Sequence, residues 1–358
     1  MANYLTLAVA GSRKTQGVVD HCAALPLARR ALVVTFTQTN QEELRHRIEM
    51  YAGDHQGIEV MGWYTFLLRH FAKPFLPFKH PGKRVLGFDF EGRPPMMVKG
   101  LKRFLNSNGA AYACELGRLA FELIEESRGA LLHRLECLYD EILVDEVQDL
   151  SSYDWEILDV LLHSSIDIRM VGDIRQSVLA TNPRGSKNRK YAYTDAIHWF
   201  RAREKKGILE ISERVLTWRC HPSVAAFSDT IFDASWLFPA TESLNETRTE
   251  HDGVFLLQKK HVGSYAAQFR PQCLRNAASS GKDYDLDFLN FKVSKGATYE
   301  RVLIVPTAPI LNFLQKGVSL EPGPASAFYV AVTRAQQSVA IVAEKAGISG
   351  LPYWCPVE

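Results

Sequence analysis

No C-x-x-C pair occurs among the six cysteines, Cys22, Cys114, Cys137, Cys220, Cys273 and Cys355. Their scatter signals neither a zinc site nor a disulfide framework, and reduced thiols in a cytoplasmic protein are the plain expectation. No apolar run approaches the ~18 residues of a membrane span. No charged leader precedes the first apolar stretch, so neither an anchor nor a signal peptide is expected. A strong excess of one charge is missing too: 42 Lys and Arg stand against 40 Asp and Glu, a net of +2. Any surface for a polyanion must therefore be local. Repeats, low-complexity tracts and long linkers are also lacking.

What is present is a globular balance. Over 358 residues, 46% are hydrophobic and 23% charged, enough for two domains with real cores. Short apolar runs recur at 5–10, 31–36, 141–144, 168–171, 254–257, 302–305 and 339–342, and most end in polar or glycine clusters. Helical patterns such as 41–51, 152–162 and 222–232 lie between many of them. Strand, polar turn, helix, repeated, is the pattern of a parallel sheet covered on both faces, with its chemistry at the carboxyl ends of the strands. Residues 73–92 break the pattern with proline, aromatic and basic residues, and 115–135 reads as one amphipathic helix. Together they read as an insertion between two core strands.

Two segments carry chemistry. Residues 8–15, AVAGSRKT, lie between the first strand and a helical pattern. This is a P-loop arrangement: Ala10, Gly11, Ser12 and Arg13 turn the chain so that backbone amides cradle phosphate, Lys14 reaches the β- and γ-phosphates of ATP, and Thr15 ligates Mg2+. Arg13 occupies the place where glycine is usual. If φ is positive there, a side chain costs roughly 1–2 kcal/mol, and the guanidinium could add a phosphate contact. Residues 142–149, ILVDEVQD, form an apolar strand ending in two carboxylates. In an NTPase Asp145 holds magnesium and Glu146 deprotonates the attacking water; a solvated acidic strand end is the bland alternative.

The segment Asp145–Asp149 resembles motif II of the UvrD/Rep-like superfamily 1 DNA helicases, and similar segments follow in that family's order. Residues 35–48 look like motif Ia, 171–177 like motif III, 216–220 like motif IV, 294–302 like motif V and 328–335 like motif VI. The resemblance spans residue 5 to about 342. It implies an α/β protein of two RecA-like P-loop NTPase lobes, at 1–214 and 215–358, with a small inserted subdomain at about 73–138 in the first. It further implies that Gln176, Arg219 and Arg334 reach the γ-phosphate, that Glu300 touches the ribose, and that Trp218 stacks on adenine. Single-stranded DNA is the implied partner, contacted by Thr35, Phe36, Thr37, Trp63 and Tyr64, with Arg184 and Lys187 in the basic stretch 184–190 tracking phosphates.

The departures from the family are specific. Leu179 replaces an aromatic after motif III, Lys292 replaces a histidine in motif V, no glutamine-containing motif precedes the P-loop, and 220–292 leaves no room for a large accessory insertion. The expected function is ATP-dependent translocation along, or unwinding of, DNA. The rival is an ATP- and DNA-gated regulatory subunit of a nuclease complex. The compact size resembles the helicase of two-gene anti-phage systems such as Gabija, which implies an OLD-family nuclease as a partner.

Overall fold

The computed structural model describes residues 3–53, 55–182 and 184–356. Its first sheet contains β1 (Asn3–Ala8), β2 (Ala31–Thr35), β3 (Ile58–Gly62), β4 (Glu141–Asp145), β5 (Asp167–Gly172) and β6 (Glu210–Arg214). All six are parallel, in the order β3-β2-β4-β5-β1-β6. Strands β2 and β4 are buried along their whole length, which explains why they read as unbroken apolar runs rather than alternations. Strand β6, at the edge, is far more exposed and correspondingly polar.

A second parallel sheet contains β7 (Gly253–Leu257), β8 (Gln272–Arg275), β9 (Phe288–Asn290), β10 (Tyr299–Val305), β11 (Ala335–Val342) and β12 (Tyr353–Trp354). Its order is β9-β8-β10-β11-β7-β12. Ranked along the chain, both sheets run third, second, fourth, fifth, first, sixth. The fold is therefore α/β with two RecA-like lobes of one topology. A two-strand parallel ladder, Leu216–Thr217 with Glu242–Ser243, lies in the sequence between the two sheets.

Helices α1 (Lys14–Ala23) and α2 (Gln38–Tyr51) follow β1 and β2. Between β3 and β4 the chain inserts a helical run, Trp63–Lys79, whose middle turn is a π-helix. A small parallel ladder, Gly87–Asp89 with Ala110–Tyr112, comes next. The single helix expected at 115–135 is two, α3 (Ala113–Glu126) and α4 (Ala130–Leu138). Arg128 and Gly129 both take positive φ, 49° and 92°, and that pair stops one helix before the next begins.

The first lobe's core gathers Leu5, Phe66, Phe71, Trp155, Trp199 and their neighbours. In the second, α5 (Pro322–Val332) is buried on every side from Ala325 to Val332, as expected of a helix apolar all round. That core also takes in Ala10 and Val178 of the first lobe, so the lobes are packed together at the P-loop. Among the described residues no helix is long and apolar enough to cross a membrane.

Candidate active site between the lobes

The turn from β1 into α1 is pressed against the start of the second lobe. Gly11 has φ 75°, and a Cβ there would lie 2.5 Å from Arg219 Cβ and 2.7 Å from Thr217 Oγ1, so only glycine fits. Gly11 also accepts from the Trp218 amide at 3.1 Å, and Ala10 O accepts from Thr217 Oγ1 at 2.7 Å. Arg13 takes φ 58°, ψ 41° as the residue before α1. The left-handed region costs a side chain roughly 1–2 kcal/mol. Its guanidinium lies 4.6 Å from the Trp218 ring centroid, a cation–π contact that offsets about 0.5–1 kcal/mol. Arg13 thus meets an aromatic ring rather than a carboxylate.

Gly11 through Gln16 line a cleft of about 910 Å³ between the lobes, together with Glu146, Asp149, Gln176, Arg219, Lys295 and Arg334. The N-terminal turn of α1 leaves backbone N–H groups free to point into it. Strand β4 ends at Asp145, and the next residue, Glu146, has φ 55°. Lys14 Nζ stands 3.9 Å from Glu146 Oε1, and Lys295 Nζ 3.1 Å from Glu146 Oε2. Lys295 also donates to Asp149 Oδ2 at 2.7 Å and Oδ1 at 2.9 Å.

The electrostatics follow from this crowding. Burial and the neighbouring Glu146 push the Asp145 carboxyl up, only partly countered by Lys14. Burial acts the same way on Glu146, but Lys295 and Lys14 outweigh it and hold that carboxyl below its ordinary range. Burial raises Asp149 despite Lys295, and Lys295 itself is raised by the two carboxylates in spite of its own burial. Asp145 Oδ2 and Ser12 Oγ are buried without a hydrogen-bond partner. An orphaned carboxylate oxygen at the end of β4 is the donor a hard divalent cation takes, and Thr15 supplies a hydroxyl on the cleft wall. The residues present therefore fit magnesium.

From the second lobe, Arg334 is buried at the end of α5. It donates from Nε to Val330 O at 3.0 Å, from Nη1 to Ala297 O at 3.1 Å and from Nη2 to Gln176 Oε1 at 2.9 Å. Gln176 in turn donates to Asp173 Oδ2 at 2.7 Å. Burial and the nearby Arg219 bring the Arg334 guanidinium down to about 10. Arg219 Nη1 donates to Thr333 O at 3.2 Å. Lys14, Thr15, Glu146, Gln176, Arg219 and Arg334 thus share one cleft, with Asp145 buried beneath it at the end of β4.

Other expected residues lie elsewhere. Glu300, the second residue of β10, is exposed, ion-paired with Arg301, and does not line the cleft. Trp218 is 37% exposed but has Arg13 over its ring. Trp63, expected to stack on DNA, is 1% exposed and donates from Nε1 to Asp154 Oδ1 at 3.0 Å. It is a core residue, because an indole beside a buried strand end fills space and its N–H finds a buried acceptor.

Thr35 is buried at the end of β2, with its hydroxyl unpartnered. Thr37 caps α2, accepting from the Asn40 amide at 3.1 Å, and faces the cleft. Phe36 and Tyr64 are half-buried neighbours, ring centroids 6.3 Å apart, and the Tyr64 hydroxyl donates to Thr181 O at 2.7 Å. Arg184 is exposed, while Lys187 is paired with Glu156 at 3.4 Å.

Lys295 and Tyr329 received no role from the sequence. Both lie inside motif-like segments, and Lys295 stands beside Gly296, so the residue order points to the position but not to its reach. The Tyr329 hydroxyl accepts from the Ala10 amide and donates to Asp173 Oδ2, both at 3.3 Å. It ties the P-loop of one lobe to α5 of the other.

Residues 95–191 match the UvrD/REP helicase N-terminal domain. That segment holds Asp145, Glu146 and Gln176 but not the P-loop. Two solved structures of the arterivirus nonstructural protein 10 helicase are similar in fold. The first shares 16% identity at a TM-score of 0.49, over 95% of this chain and 59% of its own. The second, a complex with DNA, shares 18% at 0.48, over 98% and 63%. The chain thus spans less than two thirds of the length of those helicases. No curated protein matches it.

Proposed function

We propose that this chain is an ATP-driven motor on single-stranded DNA, a translocase or helicase of the UvrD-like superfamily 1 kind, with working lobes at 1–214 and 215–358. The observation that carries the reading is the meeting of Lys14 and Glu146 with Arg219 and Arg334 in one inter-lobe cleft. Charge on a transferring phosphoryl group needs cations delivered from the facing wall, which couples hydrolysis to lobe movement. Lys14 and the amides of the α1 N-terminus would bind the β- and γ-phosphates. Magnesium, when bound by Asp145 and Thr15, would neutralise phosphate charge. Glu146, kept ionised by Lys295 and Lys14, would take the proton of the attacking water as its oxygen bonds to the γ-phosphorus and ADP departs. Gln176, held by Asp173 and Arg334, would orient the γ-phosphate.

Steady-state ATP hydrolysis with and without a single-stranded oligodeoxynucleotide tests this. Hydrolysis stimulated by the strand is expected, with Glu146→Gln binding ATP near wild-type affinity but failing to turn it over. Wild-type protein that hydrolyses no ATP in either condition, or whose rate ignores the strand, would refute the motor.

A further inference from the structure

Besides the cations that line the inter-lobe cleft, one sequence segment outside it carries a concentrated positive charge. Residues 73–103 carry eight Lys and Arg against Asp89 and Glu91, a net of +6 in a chain whose total is +2, so the remainder sums to −4. Two of the eight are neutralised locally: Lys79 pairs with Glu122 and Glu126, and Arg103 with Glu115. The other six, Lys73, Lys83, Arg84, Arg93, Lys99 and Lys102, are exposed and form no ion pair among the described residues.

An aromatic row ends in the same segment. Phe36 neighbours Tyr64, and Tyr64 meets Phe90 edge-on at 5.6 Å and 88°. Phe88 packs against Phe90 at 5.1 Å. Phe90 is 60% exposed, yet its backbone is clamped. Asp89 Oδ1 accepts from the Gly92 amide at 2.6 Å, and Asp89 Oδ2 accepts from Asn106 Nδ2 at 2.8 Å. A Cβ on Gly92 would lie 2.1 Å from Asp89 Oδ2, so a side chain there would displace the Asp89 carboxylate that holds the turn. Scattered exposed apolar side chains need no explanation. A phenyl ring fixed by a hydrogen-bonded turn, at the open end of an aromatic row and in a segment with six free cations, is a different object. It combines a stacking platform with phosphate-tracking charge, the pairing that holds single strands without regard to sequence.

We propose that the inserted segment 73–103 is a second contact for single-stranded DNA, in which Phe90 stacks on a base and the exposed cations follow the phosphates. This rests on the motor reading above. An acidic protein surface would satisfy the charge but has no use for a base-stacking ring, which is what the test separates.

The test uses the full chain and a fluorescein-labelled oligodeoxythymidylate, with Kd measured over a salt series by anisotropy. Phe90→Ala is expected to weaken binding about tenfold at every salt concentration, leaving the slope unchanged, and Phe90→Trp to bind like wild type. Reversing Lys83, Arg84 and Arg93 to Glu together should weaken binding and flatten the slope of log K against log salt by about 0.7 for each phosphate no longer neutralised. On a strand of abasic sites, wild type and Phe90→Ala should bind equally. If wild type binds the oligonucleotide and both variants bind it as tightly, the second contact is wrong while the motor stands. If wild type binds no strand at all, both fall. Matching thermal unfolding midpoints across the variants would exclude misfolding as the cause.

Discussion

The two lobes have the same strand order and opposite chemical duties, and the difference lies in which edge of the sheet each presents to the cleft. In the first lobe, the cleft residues Lys14, Glu146 and Gln176 follow β1, β4 and β5, at the carboxyl ends of the strands. In the second, Lys295 precedes β10 and Arg334 immediately precedes β11, at the amino ends. A carboxyl edge leads into helix N-termini, where free N–H groups favour anions. An amino edge comes after helix C-termini, where free carbonyls favour cations. Arg334 sits at such an end and donates to Val330 O in the last turn of α5. One topology used twice thus sets a helix N-terminus, which favours anions, against a wall of guanidinium and ammonium groups. After β7, where a P-loop would stand, the chain has Lys259–His261 in a 3-10 turn.

The sharpest way to break this division of labour is kinetic. Lys14→Ala should lose both ATP affinity and turnover, whereas Arg219→Ala should keep ATP affinity and lose about 10³-fold in kcat, since a cation from the facing wall acts on the transition state. Nucleotide binding followed with a fluorescent ATP analogue, beside kcat, reads the split. Arg219→Ala losing binding as fully as Lys14→Ala would erase the distinction between the lobes.

A smaller effect concerns what holds the walls together. Lys295→Ala leaves the buried Asp149 carboxylate without its ion-pair partner and Glu146 with Lys14 alone, and should destabilise the protein by about 3–5 kcal/mol in urea unfolding. Lys187→Ala, which breaks the exposed pair with Glu156, should cost no more than about 0.5 kcal/mol. Equal costs for the two would mean that Lys295 is a surface charge in solution.

The smallest effect is expected at Arg13. Arg13→Gly relieves positive φ but removes the stack on Trp218, so stability should change by less than about 1 kcal/mol and ATP hydrolysis by less than about tenfold. A much larger gain in rate would show that the Arg13–Trp218 contact holds the lobes in an inactive arrangement.

Much of this was legible in the residue order. The strands β1, β2, β4 and β5 and the turn after β1 follow from apolar runs ending in polar clusters, most plainly at β2 and β4, because a strand buried along its whole length is mostly apolar. The acidic pair after β4 was visible for the same reason: two carboxylates directly after such a run are conspicuous. The helix break at Arg128–Gly129 was harder, since an amphipathic pattern continues across it and one glycine within helical spacing is easily read through. Trp63 was misplaced because an aromatic beside a strand end reads identically whether it faces solvent or core.

The sequence by itself determined parallel α/β sheets with polar and charged residues at their strand ends, since periodicity and the succession of loop residues are local properties of the chain; the division into two RecA-like lobes was implied by the resemblance of its motifs to superfamily 1 helicases. Tertiary structure alone decided that Lys295 reaches Glu146 and Asp149, that Arg13 lies on Trp218, that Tyr329 ties Ala10 to Asp173, and that Glu300 pairs with Arg301 outside the cleft lining. The first three of these depend on how one lobe packs against the other. The partners are separated by more than a hundred residues in the first three cases, and no pattern along the chain encodes a distance between them.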